Sequence, residues 1–394
     1  MRKNTATFLK YSVVLTVITA AWWLLFAGGK ISAVVSFFYR LEQTSTVDNI
    51  TSTDYRYNKE FEQTLNRYRT FKSMYQEEYS SAIPGLAATD VMGSISNQMV
   101  PQGICVAKDY MLVTAYDSSG ANSVMYVLSN KNPQNRQLLT TIVLPDANHV
   151  GGVAFDGERV WIAKSTTRKC SVIDYDVIET AVNTSKGSYF LDNYTQNVDC
   201  GAVASFIEYH NNRIWVGTYS NRTSGMGTLR SYDIVEGEEL QLVKQEQISI
   251  PGFANGVSFM ECDGKTYMAV STSQGRYFHS DIYFYQVVKD LNSDGNLYYN
   301  YNSCKFPPMA EEFVCDGTNT YFLFESSATC YSTDKYTGCS YPVDRICAIS
   351  TLELFGNNNG LAYVKVQGEL PAISTSGMEN ASYQDPKHYW RMYV

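Results

Sequence analysis

The sequence predicts an all-β propeller, with five blades countable, preceded by a transmembrane helix and a short helical stalk. Three observations lead there. Five segments from residue 100 onward share one layout, an uncharged run of nineteen residues lies near the N-terminus, and a helical stripe of aromatics separates the two. Composition agrees with a folded, strand-rich chain: of 394 residues 44% are apolar and 18% charged, and 31 are tyrosine. With 31 Lys+Arg against 39 Asp+Glu, there is no basic footprint, so no nucleic-acid partner is expected.

Residues 1–10 read as a cytoplasmic tail, carrying Arg2, Lys3 and Lys10. The uncharged run 11–29 follows, and at ~1.5 Å per residue it spans close to the ~30 Å hydrocarbon core. Trp22 and Trp23 lie near its outer end, where indole rings favour the interface. The positive-inside rule then puts the N-terminus in the cytoplasm and the remaining chain on the extracytoplasmic side, a single-pass membrane protein. The rival reading is a cleaved signal peptide ending at Ala27, Gly28 and Gly29; the two bulky tryptophans and the long apolar run favour an uncleaved anchor.

Residues 30–83 form the expected juxtamembrane stalk. Within 54–80, Tyr57, Phe61, Leu65, Tyr68, Tyr75 and Tyr79 recur at helical spacings, with Glu62, Arg67, Arg69 and Glu77 on other faces. Pro84 and Gly85 end the pattern. Such a helix either packs on the following domain or stands above the membrane.

Residues 84–394 are assigned to the propeller. Each repeat has a strand opened by a small residue, a turn, a second strand ending in a polar residue, a loop and a third strand. The anchors Gly103, Gly152, Ala202, Gly256 and Glu312 are 49, 50, 54 and 56 residues apart. A period near 50 with about four strands per unit is the signature of propeller blades. Asp156-Gly157, Asp263-Gly264 and Asp316-Gly317 supply hairpin corners. Fourth strands are visible at 137–144 and 240–250, and the segments 84–99 and 352–394 remain to complete the fifth blade or build a sixth.

The openings PQGICV, HVGGVAFDGERVWIA and ANGVSF resemble the strand starts of NHL-repeat and gluconolactonase-like propellers. The similarity covers about residues 100–352 and bears on fold. It implies a group that includes lactonases, esterases and non-catalytic binding modules, many with calcium in the central channel.

Nine cysteines fit an exported chain, with Cys330 and Cys339 bracketing a polar loop suited to a disulfide and Cys304 with Cys315 as a second pair. No CxxC or His/Cys zinc spacing occurs. Asp290, Asn292, Asp294 and Gly295 match half of an EF-hand loop, but position twelve is Tyr301, so a plain hairpin is expected.

Repeat geometry places candidate function at one mouth of the channel. Residues preceding the innermost strands are Gln102, His149, Asp199, Asn255 and the pair Glu311/Glu312; ends of the second strands are Asp117, Lys164, Tyr219, Gln274 and Glu325. Asp199, Asn255, Glu311 and Glu312 form an oxygen-rich set suited to Ca²⁺, and ordinary polar lining is the alternative. Gln102, Asp117, His149, Lys164, Tyr219, Gln274 and Glu325 would line the ligand site. Two functions follow: an extracytoplasmic recognition module for a surface glycan, peptide or protein, or a calcium-dependent lactonase or esterase with His149 as base. The absence of GxSxG in the exported region, HExxH, P-loop and Rossmann signatures favours binding.

Overall fold

The consecutive strands of each repeat pair antiparallel, because short turns join them, and their inner strands are apolar enough to be covered on both faces. The computed structural model describes residues 55–356, apart from 92, 186, 222–225, 263, 292–294 and 333–337. Among these residues no helix is long and apolar enough to cross a membrane; the segment 11–29 lies outside them.

The aromatic stripe forms two helices, α1 (Asn58–Arg67) and α2 (Arg69–Met74), broken at Tyr68. A short strand β1 (Ser81–Ala82) follows, then a small hairpin of β2 (Thr89–Asp90) and β3 (Ile95–Ser96). The first blade comprises β4 (Met99–Ala107), β5 (Tyr110–Asp117), β6 (Val124–Ser129) and β7 (Leu138–Val143). The second has β8 (Val150–Phe155), β9 (Arg159–Lys164) and β10 (Lys169–Asp174). Helix α3 (Tyr175–Thr184) then leads to β11 (Ser188–Phe190), which adds a parallel fifth strand to the first blade beside β7. The chain returns with β12 (Gln196–Asp199) to close the second blade's outer edge.

The third blade is β13 (Phe206–His210), β14 (Arg213–Thr218), β15 (Gly227–Val235) and β16 (Gln241–Ile250). The fourth is β17 (Ala254–Cys262), β18 (Lys265–Thr272), β19 (Ser280–Lys289) and β20 (Asn296–Phe306). The fifth contains β21 (Ala310–Cys315), β22 (Asn319–Phe324) and, after α4 (Thr329–Ser332), β23 (Arg345–Ser350); helix α5 (Thr351–Gly356) follows.

The ring closes by a strand borrowed from before the first blade. β1 pairs antiparallel with β23, Ser81 opposite Ile346 and Ala82 opposite Arg345, and is the fourth strand of the fifth blade. The count is therefore five. The completing strand comes from neither 84–99 nor 352–394, and the propeller begins before the boundary placed at residue 84.

The five inner strands β4, β8, β13, β17 and β21 stand side by side around the axis. Their small residues exist because the blades meet there: a Cβ on Gly103 would lie 2.8 Å from the Cα of Gly152. Hairpin corners behave as their sequence requires. Asp156 accepts the N–H groups of Glu158 and Arg159 at 2.9 and 2.6 Å, while Gly157 takes φ 104°. The EF-hand-like segment joins the antiparallel pair β19 and β20, with the Asp290 N–H on the Gly295 carbonyl at 3.1 Å.

The two N-terminal helices pack on the propeller, which was one of the two arrangements their stripe allowed. Phe61, Phe71 and Met74 join a core cluster with Phe306, Phe322 and Phe324. A latch reinforces this: Asp344 accepts the N–H groups of Arg56 and Tyr57 at 2.5 and 2.7 Å. Beside it, the Arg345 guanidinium lies 3.8 Å from the ring centres of both Tyr55 and Phe61.

Cys304, Cys315, Cys330 and Cys339 form no disulfide. Cys330 is exposed while Cys339 is buried; Cys304 is buried in β20 while Cys315 closes β21 with its thiol beside the Thr351 hydroxyl, 3.5 Å away. Neither pairing expected from spacing is formed, because sequence proximity does not aim the two thiols at each other.

Candidate functional site: an acid pair at the channel mouth

Four of the five inner strands open with a β-bulge. The register slips between Pro101 and Gly103, Val150 and Gly152, Ala254 and Gly256, and Ala310 and Phe313. A bulge re-aims the extra residue out of the ladder. The residues so placed are Gln102, Gly151, Asn255 and the pair Glu311/Glu312.

Three of them converge with a second-strand end. Asn255 Nδ2 donates to Glu311 Oε1 at 3.1 Å, and Gln102 Nε2 donates to Glu325 Oε2 at 3.0 Å. The Glu311 and Glu325 carboxyls are hydrogen-bonded to each other. Side chains from the first, fourth and fifth blades thus form one network around two adjacent acids. Burial pushes the Glu311 carboxyl well above the carboxylate range, and the charge of Glu325 adds to it. Glu325 keeps one edge toward solvent yet is enclosed by protein, and burial raises it to about 7 against the bonds from Gln102 and Glu311 and the charge of Arg276. The two carboxyls titrate as a pair, and burial favours a proton retained between them.

Aromatic and basic groups surround the pair. The Arg276 guanidinium lies 5.2 Å from the Tyr331 ring centre. The Tyr331 and Tyr116 hydroxyls are 3.4 Å apart, and Tyr116 stacks on His149 with ring centres 4.3 Å apart. Burial lowers His149 to about 4, so it is neutral, and its Nδ1 is buried without a partner. Tyr219 is 40% exposed, and the charges of Glu311 and Glu325 add to the burial that raises its hydroxyl.

Glu312, adjacent in sequence, lies apart from this network on the propeller axis. It accepts the N–H of Ile104 at 3.0 Å, Val153 at 2.8 Å and Ile207 at 3.3 Å, donors from three different blades. Burial still holds its carboxyl above the ordinary range, against those N–H bonds.

The other expected site residues are placed elsewhere. Asp199 ends β12, the outermost strand of the second blade, and is exposed. The third inner strand begins only at Phe206, so Ser205 occupies the place assigned to Asp199. Asp117 is buried at the end of β5 and accepts from Ser96 of β3 and from Ser119 in the following turn. Burial would raise it, yet the hydroxyls of Ser119 and Ser96 hold it below the ordinary range. Lys164 pairs with Asp146 at 2.6 Å and reaches Asn197 at 3.2 Å, a bridge between the first two blades. Gln274 is half-buried in the loop after β18.

The oxygen set suggested for Ca²⁺ does not assemble. Asp199 is at the outer edge, the Glu312 oxygens are committed to backbone donors, and the Asn255 amide donates to Glu311. Two acids and two carboxamides that satisfy one another are a poorer fit to a cation that takes six to eight oxygens.

Arg276, Tyr116 and Tyr331 carry no motif. Tyr116 directly precedes Asp117, which strand-end counting selected, and Tyr331 lies in α4, outside the strands that the repeat marks. Arg276 gives no signal in the sequence.

No family model matches the chain, and no curated protein matches its sequence. The resemblance to NHL-repeat and gluconolactonase-like proteins therefore stays at the level of the fold. Among solved structures, that of a Myxococcus xanthus glutaminyl cyclase is 10% identical, covering 69% of this chain and 94% of that one at TM-score 0.36. A nidogen/laminin complex is 12% identical over 58% and 73%, at TM-score 0.30. Likeness at this level carries no argument about activity; the architecture itself, read from the strand pairing, is that of a five-bladed β-propeller.

Proposed function

We propose that this propeller is a recognition module that takes its ligand at the channel mouth around Glu311, Glu325, Gln102 and Asn255. The carrying observation is the proton-sharing acid pair, held by two carboxamides and flanked by the exposed Tyr219. It offers hydrogen-bond donors and acceptors beside an aromatic face, the combination that suits a glycan or peptide. The module is held outside the cytoplasm by the apolar segment 11–29, which fits its acidic balance and lack of any basic footprint.

The test is an array of glycans and peptides probed with the purified protein. Gln102→Ala, Asn255→Ala and Tyr219→Ala should each weaken a hit about tenfold while leaving the fold intact. A ligand held equally well by all three variants would place recognition elsewhere.

One observation favours a second reading, a hydrolase of esters or lactones. Glu325 at about 7 is suited to take a proton from an attacking water, and Glu311 to return one to the leaving oxygen. Glu325→Gln would then abolish turnover of an ester and lactone panel without abolishing binding.

A further inference from the structure

We propose that Cys170 and Cys200 are a redox-active thiol pair that closes to a disulfide, with Cys200 the thiol an oxidant meets first. Thirty residues of sequence separate them, and no spacing rule selects them. In the sheet they are neighbours. β10 and β12 pair with Cys170 opposite Val198 and Lys169 opposite Asp199, and the ladder continues with the Cys200 N–H on the Arg168 carbonyl at 2.9 Å. Cys200 is therefore two positions beyond the partner of Cys170 and on the same face. The Cys200 thiol donates to the Arg168 and Ala202 carbonyls, both at 3.1 Å, and both cysteines are buried, 0% and 3% exposed.

The two cysteines differ in surroundings. Cys170 is the second residue of β10, packed with Trp161, Val172 and Ala204. Cys200 instead lines a cleft of about 320 Å³ together with Gly201, Arg230, Tyr232 and Lys244. The neighbouring Cys170 thiol holds the Cys200 thiol below its ordinary range, against the burial that raises it. Arg230 and Lys244 outnumber the one carboxylate of the lining, Asp199, which leaves a cleft that suits an anionic low-molecular-weight disulfide such as oxidised glutathione.

Diagonal neighbours in a sheet start about 7–8 Å apart at Cα, slightly beyond the usual disulfide range, so closure requires a small shift. The strand end provides for it, since Cys200 follows the last residue of β12 and Gly201 takes φ 70°. The chemistry balances as ordinary exchange. The Cys200 thiolate attacks one sulfur of the small disulfide and expels the first thiol. The Cys170 thiol then attacks the Cys200 sulfur and expels the second, and the two cysteine protons leave with the two thiols.

The experiment exposes the folded full-length protein to oxidised glutathione, blocks remaining thiols by alkylation and maps peptides without reduction. The expected result is a linked peptide pair containing Cys170 and Cys200, with a melting temperature about 5 °C higher that returns on reduction. In Cys170→Ala protein, Cys200 should be recovered as a stable glutathione adduct, because the resolving thiol is gone. Alkylation of both Cys170 and Cys200 after oxidation of the wild-type chain would overturn the proposal. An unmodified Cys200 in the variant, where wild type does close, would overturn the assigned order of attack.

Discussion

The carboxyl of Glu312, carried by the fifth blade, accepts the N–H of Val153 in the second at 2.8 Å. The same group reaches Ile104 in the first blade and Ile207 in the third. Gly256 of the fourth approaches so closely that a Cβ there would lie 2.7 Å from the Cα of Glu312. One residue on the axis thus touches every blade. Buried N–H groups at the start of inner strands lack ladder partners on the channel side, and Glu312 satisfies three of them.

Removing that group should therefore loosen the whole ring. Glu312→Ala leaves three buried donors without partners and is expected to destabilise by about 4 kcal/mol. Gly152→Ala should be comparably harmful, since its Cβ would lie 2.5 Å from Glu312 Oε1 and 2.8 Å from the Ile207 nitrogen. Chemical denaturation of both variants checks this; near-wild-type midpoints would remove Glu312 from its axial role.

The acid pair predicts a pH dependence of stability. Glu311 and Glu325 are both raised above their unfolded values, Glu325 to about 7. Their contribution is fully present below the unfolded carboxyl range near 4.5, and that of Glu325 is lost as pH rises through 7. Melting temperature should fall by roughly 3–5 °C between pH 5 and 8, and Glu325→Gln should flatten that slope.

His149 predicts the opposite slope on the acid side. Burial lowers it from 6.5 to about 4, so its contribution is present above 6.5 and is lost as pH falls through 4. His149→Phe keeps a ring stacked on Tyr116 and cannot be charged. Denaturation at pH 4.5 should find the variant about 2 kcal/mol more stable relative to wild type than at pH 7.5.

The N-terminal helices should prove inseparable from the propeller. Phe71 is fully buried, with ring centres 5.0 Å from Phe306 and 6.2 Å from Phe324. Phe71→Ala is expected to destabilise by about 3–5 kcal/mol. Limited proteolysis should cleave the variant near residue 74 faster than wild type; unchanged cleavage and stability would return these helices to an independent stalk.

The five repeats and the hairpin corners were legible in the sequence because they are local. A blade is a run of short hairpins, and Asp156-Gly157 specifies its turn through its own side chain and its own φ. The bulged positions Gln102 and Asn255 were legible too, each standing before a glycine that opens an inner strand. The third blade misled because Ala202 has the small-residue look of an opening while the strand starts at Phe206, which moved Asp199 from the mouth to an outer edge. Tertiary structure alone decided that Glu311 faces Glu325 at the mouth while its neighbour Glu312 turns to the axis. It also decided that β1 completes the fifth blade, and that Cys170 meets Cys200. Each of these joins residues whose partners are set by ring closure, where five sheets must meet at once, and a single repeat holds no record of its distant neighbours.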